Sequence, residues 1–185
     1  RAQNEAEVSK KIIALLEEGK NIAFASDAGT PGISDPGAVL VTEVRKAGFN
    51  VVPIPGASAF ATLVSVAGTG GKTIIFEGFL SPKSGRRKNR VKELLLTGSA
   101  FILYESPYRI VKLLTDIADI DSERRVVVGR ELTKLHEEIV DGSAKDVLET
   151  FASRTKILGE FAIFVSGTKN AQLLEDIADN YSKER

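Results

Sequence analysis

The segment that decides the fold is AFILYESPYRIVKLLTDIADIDSERRVVVGR at residues 100–130. Its first five residues, 100–104, form an apolar run that predicts a buried strand. The pattern that follows predicts a helix at 108–118, and the run RVVVGR at 125–130 predicts a second strand. Strands that alternate with helices indicate an α/β protein with a largely parallel sheet.

The same alternation continues on both sides of this segment. Further strands are predicted at 21–26, 50–54, 73–79, 137–140 and 160–165. Further helices are predicted from about residue 8 to Gly19 and at 38–47, 57–67, 86–96, 144–153 and 171–181. This order of elements predicts α/β layers with a largely parallel sheet, and the pattern restarts after residues 68–72, which separates two lobes.

The glycine-rich stretch GTGGK at residues 68–72 predicts a linker between the lobes. The predicted domains are residues 1–70, 71–170 and a terminal helix at 171–185. The stretch is not a P-loop, because Val66 stands where the first glycine of that motif is required. An orphan nucleotide-binding α/β domain therefore has no intact motif to support it.

The composition excludes several classes of chemistry. The 185 residues contain no cysteine and one histidine, His136, which argues against disulfides, cysteine nucleophiles, Ser-His-Asp triads and clustered metal ligands. Lys and Arg total 25, as do Asp and Glu, so any attraction to a polyanion must be local. No apolar run approaches the roughly 20 residues of a membrane-spanning helix, and we expect a cytoplasmic protein.

Two loops follow predicted strands in the N-terminal lobe. The first, SDAGTPGISDPG at 26–37, is longer than the 2–6 residues that a connection of this kind needs. The second, PGASA at 55–59, opens a helix with small residues. Ligands bind at the carboxyl ends of strands in open α/β sheets, so these loops predict a site. A stiff connector with a helix cap is the alternative interpretation.

A concentrated run of positive charge, KSGRRKNRVK, occupies residues 83–92. Six of its ten residues are basic and none is acidic, which favours contact with phosphates. The alternative is a solvated helix start.

Two further polar motifs, ESPYR at 105–109 and GRELTK at 129–134, follow predicted strands and are expected to face one cleft. A third, GEF at 159–161, opens the last strand.

Taken in order, SDAGTPGISDPG, VPIPGASA, FEGFLSPKSGRR, YESPYR and GRELTKLHEE resemble the motifs of the tetrapyrrole methylase superfamily. Within it, they are most similar to the enzymes that methylate a cytidine 2′-hydroxyl in the decoding region of bacterial 16S ribosomal RNA. The resemblance implies a fold of two α/β/α lobes with mostly parallel sheets. It also implies S-adenosylmethionine (SAM) as cofactor, the small ribosomal subunit as partner, a homodimer, and no metal.

The resemblance also implies roles for particular residues. The implied cofactor residues are Ala28, Gly29, Thr30, Ile33, Pro55, Gly56, Ala57, Ser58, Ala59, Glu105, Arg130, Glu131, Leu132 and Glu160. The candidates for assisting proton removal are Glu105 and Lys134. The candidates for contact with RNA phosphates are Lys83, Arg86, Arg87, Lys88, Arg90 and Arg109.

The sequence departs from the family pattern at its start. Members of the family open with a strand and a glycine-containing loop, which we expect to precede Arg1 in the intact protein. We expect this piece alone to bind SAM poorly or not at all. Two other functions stay open: methylation of a tetrapyrrole, which the basic run disfavours, and non-catalytic RNA binding in ribosome assembly.

Overall fold

The computed structural model contains two compact units. The residues that it describes are 2–27, 29–68, 71–168 and 170–183. The units are Arg1–Ser58 and Ala59–Arg185, and each is described by itself. The lobe boundary expected at residue 70 remains a prediction.

The first unit is built on two helices that pack together, α1 (Ala2–Glu17) and α2 (Ala38–Lys46). Leu40 and Val44 form the buried face of α2. The chain leaves α1 through Gly19, whose φ of 80° suits a helix terminus, as predicted. The N–H groups of Gly19 and Lys20 donate to carbonyls in the last turn of the helix.

The two strands predicted in the first unit are wrong. Residues 21–26 and 50–54 belong to no helix or strand, and no backbone–backbone hydrogen bond joins them within the described residues. A strand is defined by its ladder partner, and an apolar run without one stays irregular. Apolar side chains in both segments are consequently exposed, at Ile22, Phe24, Val52 and Ile54.

The second unit is a five-stranded sheet with helices on both faces. Its strands are β1 (Ile74–Phe79), β2 (Ala100–Glu105), β3 (Arg125–Arg130), β4 (Glu138–Ser143) and β5 (Phe161–Val165). Its helices are α3 (Ala59–Ala67), α4 (Ser84–Leu96), α5 (Ile110–Ile120), α6 (Ala144–Ala152) and α7 (Ala171–Lys183). All ten elements were predicted from the sequence with small differences at their ends, and the α/β class is confirmed.

The strand directions are more mixed than the mostly parallel sheet that the sequence predicted. The order is β1-β2-β5-β3-β4, in which only β1 and β2 pair in parallel. β5 is inserted antiparallel between β2 and β3, and β4 pairs antiparallel with β3. The physical reason is that apolar runs predict burial but carry no information about direction.

Each face of this sheet has its own core. On one face, residues of α4, α5 and α6 pack with alternate strand residues, among them Phe101, Val128 and Phe161, and Ile177 of α7 joins them. On the other face, Leu63 and Ala67 of α3 pack with the intervening strand residues. β1 carries a bulge, where its register with β2 shifts between Phe76 and Gly78 and Gly78 has a φ of 72°.

Candidate functional site

In the first unit, the two loops that the sequence singled out are in contact. The hydroxyl of Thr30 donates to the carbonyl oxygen of Ala57 over 3.0 Å. A Cβ atom at Gly56 would lie 3.2 Å from the Thr30 Oγ1, and one at Gly29 would lie 3.4 Å from the same Ala57 oxygen. Glycine suits both positions, because a Cβ at Gly56 would be closer to Thr30 than an ordinary contact and the φ of 79° at Gly29 favours glycine.

The other cofactor candidates of this unit lie on the same loops. Ile33 is 45% exposed, Pro55 is also exposed, and Ala28 lies outside the described residues. Ser58 ends the first unit and Ala59 begins the second. The structure thus brings Gly29, Thr30, Gly56 and Ala57 together, although not at the end of a sheet, and their role in binding a cofactor stays a prediction.

In the second unit, the remaining candidate cofactor residues lie at one edge of the sheet. The parallel-running strands β1, β2 and β3 end at this edge, and β5 begins there. Glu105 and Arg130 both stand in register with Phe161, one on each side of β5. With neighbouring strands about 4.8 Å apart, Glu105 and Arg130 are separated by roughly 10 Å at the backbone.

Glu105 is almost fully buried at the end of β2, with 2% of its surface exposed. Its Oε1 accepts the N–H of Ser106 over 2.7 Å and forms an ion pair with Nη2 of Arg109 at 2.7 Å. Its Oε2 is also buried and has no hydrogen-bond partner within the described residues. Glu105 therefore holds one buried carboxylate oxygen without a partner among the described residues, while Arg109, a predicted RNA contact, is paired with Glu105.

Glu131, Lys134 and Glu160 form a compact cluster beyond the ends of β3 and β5. The N–H of Glu131 donates to the Glu160 carbonyl, and the N–H of Glu160 donates to Oε1 of Glu131. The ammonium of Lys134 bridges both carboxylates, at 3.0 Å to Glu131 and 2.8 Å to Glu160. Gly159 has a φ of 100°, and a Cβ there would lie 2.6 Å from Cγ of Glu131.

The charges in this cluster argue against Lys134 as a proton acceptor. Hydrogen bonds to Glu160 and then Glu131 raise the pKa of Lys134 above its usual value, so the amine stays protonated at neutral pH. The backbone N–H of Glu160 and the ammonium of Lys134 lower the pKa of Glu131. Lys134 is better suited to holding the loop in place than to removing a proton.

Arg130 forms hydrogen bonds within a group of residues that the sequence did not predict as site residues. Its Nε donates to Glu138 over 2.9 Å, and Glu138 also accepts two hydrogen bonds from Arg154. These arginines, Arg154 foremost, lower the pKa of Glu138 to about 2. Glu138 is the last residue of the motif GRELTKLHEE, but the motif does not show that it pairs with Arg130, which depends on the β3–β4 register. Arg154 follows α6 and lies in none of the motifs. Leu132 packs against Gly129 and the core beneath α3.

The basic run is largely neutralised within the fold. Arg87 is buried in an ion pair with Asp116 at 2.6 Å. Lys88 pairs with Asp119, and Arg90 pairs with Glu77 and Glu93. Lys83 and Arg86 are exposed and form no ion pair with any described residue. Only part of the predicted phosphate-binding run therefore presents uncompensated charge.

The comparison with known families decides the classification. Residues 1–148 match the family of Tetrapyrrole (Corrin/Porphyrin) Methylases, which is more than half of the chain.

The chain belongs to the tetrapyrrole methylase family.

The resemblance drawn from the motifs is thus confirmed. This tetrapyrrole methylase is 44% identical over 162 residues to the "Ribosomal RNA small subunit methyltransferase I" of Borrelia garinii subsp. bavariensis, a match that covers 85% of this chain and 72% of the relative. It is 42% identical over 158 residues to the protein of the same name from Thermotoga maritima, covering 85% and 70%. Among such relatives, the chain spans from 50% to 72% of their length.

The solved structure of the methyltransferase CobJ shows the same fold, with a TM-score of 0.66 at 15% identity, over 88% of this chain and 71% of that one. Within the described residues of this tetrapyrrole methylase, no three His, Asp or Glu side chains are grouped so that they could hold a metal ion. No helix among those residues has the length and apolarity to cross a bilayer.

Proposed function

We propose that this chain is the greater part of a SAM-dependent methyltransferase that methylates the 2′-hydroxyl of a cytidine in 16S ribosomal RNA. The observation that carries the proposal is the 44% identity to a protein named as a ribosomal RNA small subunit methyltransferase, over 85% of the chain. The cytosol as location and a homodimer as the assembled form are parts of the same proposal.

The residues of the first unit fit a cofactor of this kind. Gly56 leaves space beside Thr30 that a Cβ atom would narrow, and Gly29 adopts a backbone conformation that favours glycine. The hydroxyl of Thr30 joins the two loops through its hydrogen bond to Ala57. Exposed backbone groups and small residues suit a ligand that is recognised largely by main-chain contacts. When bound, SAM supplies an activated methyl group, so the reaction needs no protein nucleophile.

In the second unit, the contribution of the chain is to position the acceptor oxygen and assist loss of its proton. Aligning two reactants can lower the barrier by roughly 7–11 kcal/mol. Glu105 is the better candidate for the proton acceptor, because its Oε2 lacks a partner in the described structure whereas Lys134 is held as an ammonium. Lys83 and Arg86 are the candidates for contact with phosphates.

The test uses the intact protein that contains this chain, labelled SAM, and small ribosomal subunits from cells that lack the modification. We expect label in 16S RNA as 2′-O-methylcytidine. Changing Lys83 and Arg86 together to Glu should lower the rate roughly tenfold or more, because each phosphate contact contributes to RNA affinity. The matched control is Lys145→Glu, an exposed lysine on α6, which should leave the rate unchanged.

Each other outcome identifies a rival function. If SAM binds and no RNA is labelled, the RNA substrate is wrong and a tetrapyrrole becomes the substrate to test. If SAM does not bind to the intact protein, a non-catalytic RNA-binding protein is the better description.

A further inference from the structure

Tyr108 is a large aromatic side chain that is exposed to solvent. It is 86% exposed, in the turn between β2 and α5. The turn itself is held by backbone hydrogen bonds, because the carbonyl of Ser106 accepts the N–H groups of both Arg109 and Ile110 over 3.1 Å. The Arg109 side chain anchors it further through its ion pair with the buried Glu105. A rigid turn thus presents an aromatic ring to solvent.

Three cationic side chains lie at the starts of α4 and α5. Lys83 is the N-cap residue of α4, Arg86 lies in its first turn, and Lys112 lies in the first turn of α5. All three are exposed, and none forms an ion pair within the part of the chain that the structure describes. Neither helix has an acidic residue in its first turn. The helix dipole makes these positions unfavourable for cations, so fold stability does not explain them.

The two helices begin at the same edge of the sheet. They follow β1 and β2, which are parallel neighbours, and they pack against each other. The ion pairs Arg87–Asp116 and Lys88–Asp119 join them further along. Acidic residues therefore neutralise the later part of the basic run, and the charge that remains lies at the starts of the helices, beside the turn that carries Tyr108.

An exposed aromatic ring among unpaired cations suits an unpaired nucleotide. The face of a base stacks on the ring, while the cations follow the phosphates. A protein partner fits less well, because lysine is depleted at protein–protein interfaces. We infer that Tyr108, Lys83, Arg86 and Lys112 form a surface that binds single-stranded RNA, with one base stacked on Tyr108. This inference rests on the proposed function, and it adds that the RNA bound at this surface is single-stranded.

The test measures binding of a fluorescent single-stranded RNA of about 12 nucleotides, and of a duplex of equal length, by anisotropy. Tyr108→Ala should weaken single-strand binding by roughly 5- to 150-fold, which is the range for loss of one stacked base. Tyr108→Phe keeps the ring and should bind as the wild type does. Leu135→Ala removes another exposed apolar side chain, 93% exposed, and should have no effect.

The remaining outcomes overturn the inference in distinguishable ways. Equal binding by wild type and Tyr108→Ala shows that the ring does not stack on RNA. An equal loss in Tyr108→Ala and Tyr108→Phe assigns the effect to the hydroxyl. An equal loss for the duplex removes the requirement for unpaired bases. If the wild-type protein binds neither these RNAs nor small ribosomal subunits, the proposed function fails, and this inference fails with it.

Discussion

Glu138 shows what a single residue contributes to the fold. Its carboxylate accepts hydrogen bonds from Arg130 on β3 and Arg154 after α6. The Arg154 guanidinium also lies 4.3 Å from the ring centroid of Phe151, which is buried. Charge-assisted hydrogen bonds of this kind are stronger than neutral ones. Glu138, at the start of β4, therefore links β4 to β3 and to the segment after α6, at the edge of the sheet where the candidate site lies.

This arrangement predicts a specific pH dependence of stability. The folded-state pKa of Glu138, about 2, is lower than its ordinary value of 4.5, so its stabilising effect is present above about pH 5 and is lost as the pH falls towards 2. Glu138→Gln should lower the free energy of unfolding at neutral pH by about 1–2 kcal/mol, a figure reduced for partial exposure. Urea unfolding at several pH values measures the difference.

The control for this prediction is Glu149→Gln, an exposed glutamate on α6 with no side-chain partner in the described structure. Its stability should follow that of the wild type at every pH. A gap between wild type and Glu138→Gln that stays constant down to about pH 2 would contradict the proposed role of the carboxylate charge.

Motifs predicted some residues of the site and missed others. Gly29, Thr30 and Gly56 were singled out because their loops are longer or richer in small residues than a connection needs, and their role in binding a cofactor stays a prediction. The motif GRELTKLHEE contains both Arg130 and Glu138, but it did not identify them as partners, because they meet through the pairing between β3 and β4. A motif records neighbours along the chain, and an ion pair between strands depends on register.

At the scale of elements, the pairing of α4 with α5 accounts for two residues of the basic run, Arg87 and Lys88. Arg87 is only 4% exposed, and its Nε lies 2.6 Å from Oδ2 of Asp116. Breaking a buried ion pair is costly because it leaves one charge without a partner in a medium that solvates it poorly. The contact therefore makes the two helices depend on each other.

Arg87→Leu should accordingly lower the free energy of unfolding by about 3 kcal/mol. The double variant Arg87→Leu, Asp116→Leu should recover most of this loss, because no unpaired charge remains. Chemical denaturation of both variants measures the two values. Lys88→Leu, which breaks the more exposed pair with Asp119, serves as the control and should cost less than about 1 kcal/mol. A double variant no more stable than Arg87→Leu would contradict this account.

Elements were predicted well where the chain supplies their partners. The five strands of the second unit and its helices follow from apolar patterning, because each apolar face has another to pack against. The runs at 21–26 and 50–54 have similar composition but pair with nothing among the described residues. The antiparallel insertion of β5 also escaped prediction, because strand direction depends on the path of the whole chain.

At the scale of the whole molecule, the core is unevenly divided. Among the described residues, the buried apolar side chains of the first unit are Leu40 and Val44, and all others belong to the second unit. Stability follows the apolar area removed from water, at about 25 cal/mol per Å². The second unit therefore holds most of the folding free energy.

The two units should differ when they are produced separately. A fragment of residues 59–185 should fold alone and unfold in one cooperative thermal transition, because both core clusters lie within it. A fragment of residues 1–58 should show little cooperative unfolding, because Leu40 and Val44 are the buried apolar side chains among its described residues and stability follows buried apolar area. Circular dichroism melts measure both. A fragment 59–185 without a sigmoidal transition would contradict the prediction.

The bulge in β1 decides which layer the end of that strand joins. Side chains alternate between the two faces of a sheet, so one extra residue reverses the parity of every position after it. Without the bulge, Phe79 would face α4. With it, Phe76 and Phe79 both contact the ring of Tyr104, whose hydroxyl accepts the N–H of Phe60. One added residue thus changes the face on which the end of the strand lies and places a cluster of edge-to-face aromatic rings against the first turn of α3.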